Sequence, residues 1–155
     1  MATGFELRDY RASDFEEIVA LDRECFEPGI AYPAGEMRRL VSLVTREAVV
    51  AVSEETMAGF CLGYRAPARV GRIITLDVRA THRRGGVGRA LLEETIRRLA
   101  AAGSRETVLE VDLRNTPALT FYERLGFRRR RTIPGYYGPG IPGVEMFRES
   151  PGVKS

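Results

Sequence analysis

Between Thr81 and Arg89 the chain reads T-H-R-R-G-G-V-G-R, three glycines set among arginines. Gly85, Gly86 and Gly88 can adopt positive φ, and they carry no Cβ to keep a ligand away from the backbone amides. A helix that starts on such residues directs unpaired N–H groups and the positive end of its dipole into the turn. Arg83, Arg84 and Arg89 add full charges beside them. The matching guest is a phosphate or pyrophosphate. The plainer alternative is a strand-to-helix turn with solvated arginines.

The elements that must hold this turn are readable on either side. Ile73, Ile74, Leu76 and Val78 form an apolar run suited to a buried strand, and Leu91, Leu92, Thr95, Ile96 and Leu99 recur at helical spacing up to a capping glycine, Gly103. Upstream, Phe5 to Arg8 reads as a strand, and Ser13-Asp14-Phe15-Glu16 as a capping box opening a helix to Phe26. A loop from Glu27 to Pro33 leads to a second helix over Ala34 to Thr45. Strands over Ala48 to Ser53 and Ala58 to Tyr64 flank a turn at Glu54-Glu55-Thr56. Downstream, Thr107 to Asp112 is a strand, and Thr116-Pro117 caps a helix ending at Gly126. Phe127 to Thr132 and Val144 to Phe147 are the last strands. The order β-α-α-β-β-β-α-β-α-β-β predicts an α/β chain with a mixed sheet and helices on both faces, one domain over 1–155 with 151–155 as a tail.

Three phosphate-binding devices compete for the glycine turn. A Walker loop needs Lys followed by Ser or Thr, which Gly88-Arg89-Ala90 does not supply. A dinucleotide fingerprint needs its glycines at the strand end, a third glycine and a second nucleotide-binding half, and these are missing although Glu110 stands about twenty residues on. The third device, Arg-x-x-Gly-x-Gly, is matched throughout Arg83-Arg84-Gly85-Gly86-Val87-Gly88. It resembles the pyrophosphate loop of the GCN5-related N-acetyltransferases. Leu109 to Ala118 and Phe121-Tyr122-Glu123-Arg124-Leu125-Gly126-Phe127 resemble two further blocks of the RimI-type protein N-terminal acetyltransferases, so the likeness covers the C-terminal half. The element order also matches that fold.

The resemblance implies acetyl-CoA as co-substrate and no metal. Arg83, Arg84, Gly85, Gly86, Val87, Gly88 and Arg89 would bind its pyrophosphate, Leu76, Asp77 and Val78 would offer main-chain groups to the pantetheine arm, and Asn115 would touch that arm. Glu110 occupies the general-base position, acting through water, and Tyr122 the position of the acid that protonates the CoA thiolate and also contacts the cofactor. Each has a plainer alternative: Glu110 as an outward-facing strand residue, Tyr122 as a core residue beside Ala118, Phe121 and Leu125, and Asn115 as a turn or cap. Tyr32, Tyr136 and Tyr137 would line the acceptor site.

Acceptor identity is less legible. RimI-type chains carry an acidic pair after the last-loop tyrosines, where this chain has Ile141-Pro142, and a Pro-Trp pattern absent from Phe26 to Pro33. The leading reading is transfer to a protein N-terminal α-amine. The alternatives are a small-molecule amine (an amino acid, polyamine or antibiotic), or a non-catalytic acyl-CoA-binding module. The charged residues are mostly balanced, with a net charge of +3. The run Arg128 to Arg131 lacks interleaved aromatics, which argues against nucleic acid. Cys25, Cys61 and a lone His82 have no metal-ligand spacing. No signal pattern or membrane-length run is present, so a cytoplasmic protein is expected, as a monomer or homodimer.

Overall fold

The computed structural model describes residues 4–151. Strands β1 (Glu6–Asp9), β2 (Arg46–Ser53), β3 (Thr56–Ala66), β4 (Val70–Val78), β5 (Glu106–Asp112), β6 (Arg128–Ile133) and β7 (Gly143–Glu149) lie in one sheet in the order β1-β2-β3-β4-β5-β7-β6. Helices α1 (Phe15–Cys25), α2 (Ala34–Val41), α3 (Val87–Ala101) and α4 (Thr116–Arg124) complete the predicted order. This is the expected mixed α/β architecture. Pairing is antiparallel except between β4 and β5, which are parallel. No helix among the described residues is long and apolar enough to cross a membrane.

Each face of the sheet carries its own core. The α3 stripe predicted from periodicity is buried throughout: Leu91, Leu92, Thr95, Ile96 and Leu99. It packs with Val49, Cys61, Ile73, Leu109 and Met146. On the other face Ile18 and Leu21 of α1 and Met37 and Leu40 of α2 close over Val50, Phe60 and Leu62. Burying a side chain of this size contributes roughly 1.5–3 kcal/mol, so both layers are needed to hold the sheet.

Two features of β4 set up the site. Leu62 pairs with Thr75 and Gly63 with Ile73, leaving Ile74 as an extra residue, a β-bulge. The bulge changes which side chains face which helix. Ile73 belongs to the α3 core and Ile74 packs on the α1/α2 side. Thr75 reaches α1, whereas Leu76 and Val78 lie against the α3 core. The second feature is where pairing stops. Among the described residues β4 and β5 are joined only at Val70–Glu106, Gly71–Thr107 and Arg72–Val108. Beyond Arg72 the strands separate, and the facing backbone edges open into a cleft.

Local details differ from the sequence reading at several points. The helix start near residue 14 is not capped by Ser13. Asp14 instead accepts the Arg11 N–H at 2.8 Å and a two-pronged ion pair from Arg8 at 2.8 and 2.9 Å. That paired guanidinium holds the Asp14 carboxyl below its usual range. α2 stops at Val41 instead of Thr45, because Ser42 turns and its hydroxyl bonds the Arg38 carbonyl at 2.7 Å. The cap of α4 is Asn115, not Thr116: its Oδ1 accepts the Ala118 N–H at 3.2 Å. In the segment 151–155 read as a tail, residues 152–155 lie outside the described residues.

Close approach of backbones leaves no room for a Cβ on β3 at Gly63, which would stand 2.8 Å from the Arg72 carbonyl oxygen, and still less at Gly59. A Cβ on Gly59 of β3 would fall 2.5 Å from the Asp77 carbonyl oxygen. Gly59→Ala should therefore lower unfolding free energy by about 3 kcal/mol, the upper end of typical overpacking costs, as read by chemical denaturation.

Candidate functional site

The opening between β4 and β5 is continuous with the glycine turn and forms a cavity of about 1080 Å³. At one end Gly86, with φ +85°, caps α3, and the first intrahelical bond runs from Ala90 N–H to the Gly86 carbonyl. The amides of Val87, Gly88 and Arg89 precede that bond, as at any helix start. A Cβ on Gly86 would meet nothing within 4 Å, so its absence keeps open space against the amides. Gly88 is packed differently: a Cβ there would lie 3.4 Å from Val78 and 3.5 Å from Phe121, which locks the helix start against β4 and α4. Among the described residues Arg83, Arg84 and Arg89 form no ion pair, and all three border the cleft. Elsewhere most arginines are paired; the four on β6, Arg128 to Arg131, each reach a glutamate. Unpaired cations beside open amides fit a diphosphate group.

The cleft wall beyond the turn is backbone. Val78 carbonyl oxygen accepts from Arg83 Nε at 3.2 Å and from the Cys25 thiol at 3.5 Å, so main-chain groups of Val78 face the cleft side of β4. Burial pushes the Cys25 thiol up to about 11, which keeps it protonated.

Glu110, in mid-β5, is held from two sides. Arg72 NH1 donates to Oε2 at 2.9 Å, and the Tyr136 hydroxyl donates to Oε1 at 3.0 Å. Tyr137 donates to the Glu110 carbonyl at 2.9 Å and stands edge-on to Tyr136, with ring centroids 4.8 Å apart. Both tyrosines are pushed up, chiefly by burial and next by neighbouring negative or phenolic groups. Gly143 makes room for this arrangement, since a Cβ there would stand 3.0 Å from that of Tyr136. Tyr32, in the α1–α2 loop, borders the same end of the cleft, and burial with nearby Asp22 pushes it up to about 12.

Tyr122 is packed among aromatic rings and also reaches the cleft. Its ring packs edge-on against Phe121 and Phe127 at 5.1 and 5.7 Å. Its hydroxyl has no hydrogen-bond partner among the described residues, and burial holds it well above the usual phenol range. Asn115 borders the cleft while its Oδ1 serves as the helix cap.

The structure thus brings together Leu76, Val78, Arg83, Arg84, Gly86, Gly88, Arg89, Glu110, Asn115, Tyr122, Tyr32, Tyr136 and Tyr137. Three candidates do not line the cleft with their side chains. The Val87 side chain is buried in the core while its amide lies at the open helix start, Gly85 lies outside the cleft lining, and Asp77 pairs with Phe60 of β3 and has a fully buried side chain. Sequence reading missed Arg72, which no motif marks. It also missed Asp22, whose signal was visible: an acid on the apolar face shared by Ile18, Leu21 and Cys25. Chemically, the site offers a polyanion-binding end, an unpaired strand edge, and a carboxylate and a phenol on one cleft.

Comparison with known proteins agrees with this reading. An uncharacterized N-acetyltransferase of Methanocaldococcus jannaschii is 30% identical over 150 residues, covering 96% of this chain and 94% of that protein. An N-alpha-acetyltransferase of Saccharolobus solfataricus is 26% identical, covering 93% and 92%. In fold, the chain is similar to the ribosomal-protein-S18-alanine N-acetyltransferase of Escherichia coli, with a TM-score of 0.86 at 19% identity over 98% and 97% of the two chains. The model of the acetyltransferase (GNAT) family matches residues 15–127. With that match spanning β4, β5, the glycine turn and Tyr122, the chain belongs to the GNAT family of acetyltransferases.

Proposed function

We propose that this acetyltransferase moves the acetyl group of acetyl-CoA directly to the α-amine of a protein N-terminus, acting in the cytoplasm. The observation that carries the reading is the meeting of Glu110 and Tyr122 on one cleft whose far end is the unpaired-arginine turn. The nearly full-length likeness to an N-alpha-acetyltransferase supports the acceptor. So does the chemistry: an α-amine, with a pKa of about 7.7–8.0, is easily made neutral, whereas a lysine at about 10.4 is not.

When bound, acetyl-CoA supplies a thioester carbonyl for attack by the neutral amine and a thiolate as leaving group. Arg83, Arg84, Arg89 and the amides at Gly86 to Gly88 would hold its diphosphate, and the free edge of β4 would carry its arm as a strand-like partner. The Val78 N–H would polarise the thioester oxygen. Glu110 would take the amine proton through a water. Arg72 and Tyr136 occupy one site on each of its oxygens, and a carboxylate with about four acceptor sites keeps room for that water. Tyr122, held protonated by burial, would donate to the departing sulfur.

The test is a panel of N-terminal peptides and small primary amines assayed for CoA release. Turnover of peptides with kcat/KM at least about tenfold above the small amines is expected, a difference of about 1.4 kcal/mol in transition-state binding. Peptide inactivity beside turnover of small amines would overturn the acceptor assignment and leave the acetyl transfer itself in place.

A further inference from the structure

Beneath the cleft, where α1 meets the end of β4, two acids are fully buried together. Asp22 and Asp77 are both 0% exposed. The Thr75 hydroxyl lies within hydrogen-bond reach of both, of Asp77 Oδ1 by a short contact and of Asp22 Oδ1 at 3.3 Å. Asp22 Oδ2 accepts the backbone N–H of Tyr32 at 2.7 Å. Asp77 Oδ2 is buried without any partner. The proton count is therefore short by one. Thr75 has a single hydroxyl proton for two carboxylates, and only one more donor reaches the group. A proton between Asp77 and Asp22 completes the set, and it removes the cost of two adjacent charges in a dry space. The cation that acts on Asp77, Arg83, is already turned to the Val78 carbonyl and the Cys25 sulfur.

The same cluster ties three segments together. Asp22 joins α1 to β4 through Thr75, Cys25 joins it again through the Val78 carbonyl one turn on, and Asp22 reaches out to the backbone of Tyr32. We infer that Asp22 and Asp77 share one proton and that this acid–carboxylate pair is a positioning device, holding the α1–α2 loop and Tyr32 at the acceptor end of the cleft. The assignment of that end rests on the function proposed above.

The other groups facing the pair come from every packed element: Cys25 on α1, Cys61 on β3, Tyr32 and Arg83 in loops, and Tyr122 on α4. Burial pushes Cys25 up to about 11 and Cys61 up to about 12, and Tyr32 and Tyr122 are raised as well. None of these thiols or phenols changes charge between pH 5 and 9. Asp77 is raised, by burial first and by Asp22 second. The sign of its effect on stability follows. The folded chain keeps a proton that the unfolded chain releases above its carboxylate pKa of about 3.9, so stability falls as pH rises from that value to the folded one.

Two variants test the pair. Asp77→Asn keeps an N–H donor toward Asp22 and has no proton to lose. Its Tm should exceed that of the wild type by an amount that widens with pH above 5, by roughly 3–5 °C per unit until the shared proton leaves. A gap that stays constant between pH 5 and 9 overturns the shared proton. Asp22→Ala removes the acceptor of the Tyr32 N–H, and the acceptor KM should rise about tenfold while acetyl-CoA Kd, read by calorimetry, stays within about twofold. An unchanged KM, or a parallel loss of acetyl-CoA binding, overturns the positioning role. Should Asp22→Ala fail to fold, Asp22→Asn, which retains an oxygen for Tyr32, should hold the KM near that of the wild type, and a tenfold rise there counts against the inference. The Tm series involves no turnover, so an error in the proposed function leaves it standing.

Discussion

Gly86→Val should weaken acetyl-CoA binding by at least about 100-fold while the protein stays folded. At φ +85° the residue caps α3 directly before the amides that precede the first helical bond, and the space its Cβ would take is open. A branched side chain there would stand between those amides and a bound diphosphate. Charge-assisted hydrogen bonds contribute roughly 1.5–3 kcal/mol each, so losing two reaches the 100-fold mark at about 1.4 kcal/mol per tenfold. Strain alone cannot mimic this. Gly103, just past the other end of the same helix, has φ +109° and equally open surroundings. Gly103→Val should cost a similar 1–2 kcal/mol of stability, roughly the penalty of a left-handed Cβ, with acetyl-CoA Kd unchanged. Calorimetric titration and thermal denaturation of the two variants separate binding from folding. Undiminished binding by Gly86→Val would remove the turn from the donor site.

The second large effect is kinetic. Tyr122→Phe keeps the ring that packs between Phe121 and Phe127 and removes only a hydroxyl that has no partner among the described residues. Stability and acetyl-CoA affinity should therefore change little. If the hydroxyl protonates the leaving thiolate, kcat should fall by about 10²–10³, within the range of general acid catalysis. Stopped-flow measurement of the transfer step, beside the equilibrium Kd, makes the distinction. Wild-type kinetics would return Tyr122 to a core role.

The positions that sequence reading resolved share a local cause. The α3 stripe, the glycine turn and the strand run of β4 are each specified by residues within a turn or two of one another, and all appear where periodicity put them. What stayed hidden depends on partners far along the chain. The Arg72–Glu110 ion pair joins residues 38 apart, and the Thr75–Asp22 contact joins residues 53 apart. The Ile74 bulge is set by register with β3, which an apolar run such as I-I-T-L-D-V cannot reveal. Asn115 and Thr116 are both good cap residues, and only the direction of the Ala118 N–H decides between them. Asp22 and Asp77 were visible as acids in apolar patterns, but a lone acid in such a pattern names no partner.

The three rungs between β4 and β5 carry a consequence for how the molecule holds together. Among the described residues they are the only ladder bonds between a four-stranded half, β1 to β4, and a three-stranded half, β5 to β7. Helix α3 bridges the two halves on one face, packing with Val49 and Cys61 of the first and with Leu109 and Met146 of the second, and its Glu93 pairs with Arg148 of β7 at 2.6 Å. The sheet is thus two panels with a short hinge at one end of their shared seam, bridged on one face by α3. A strand-like ligand lying in the open part of the seam would lengthen the hinge into a full joint, so that substrate occupancy and the mechanical unity of the sheet rise and fall together.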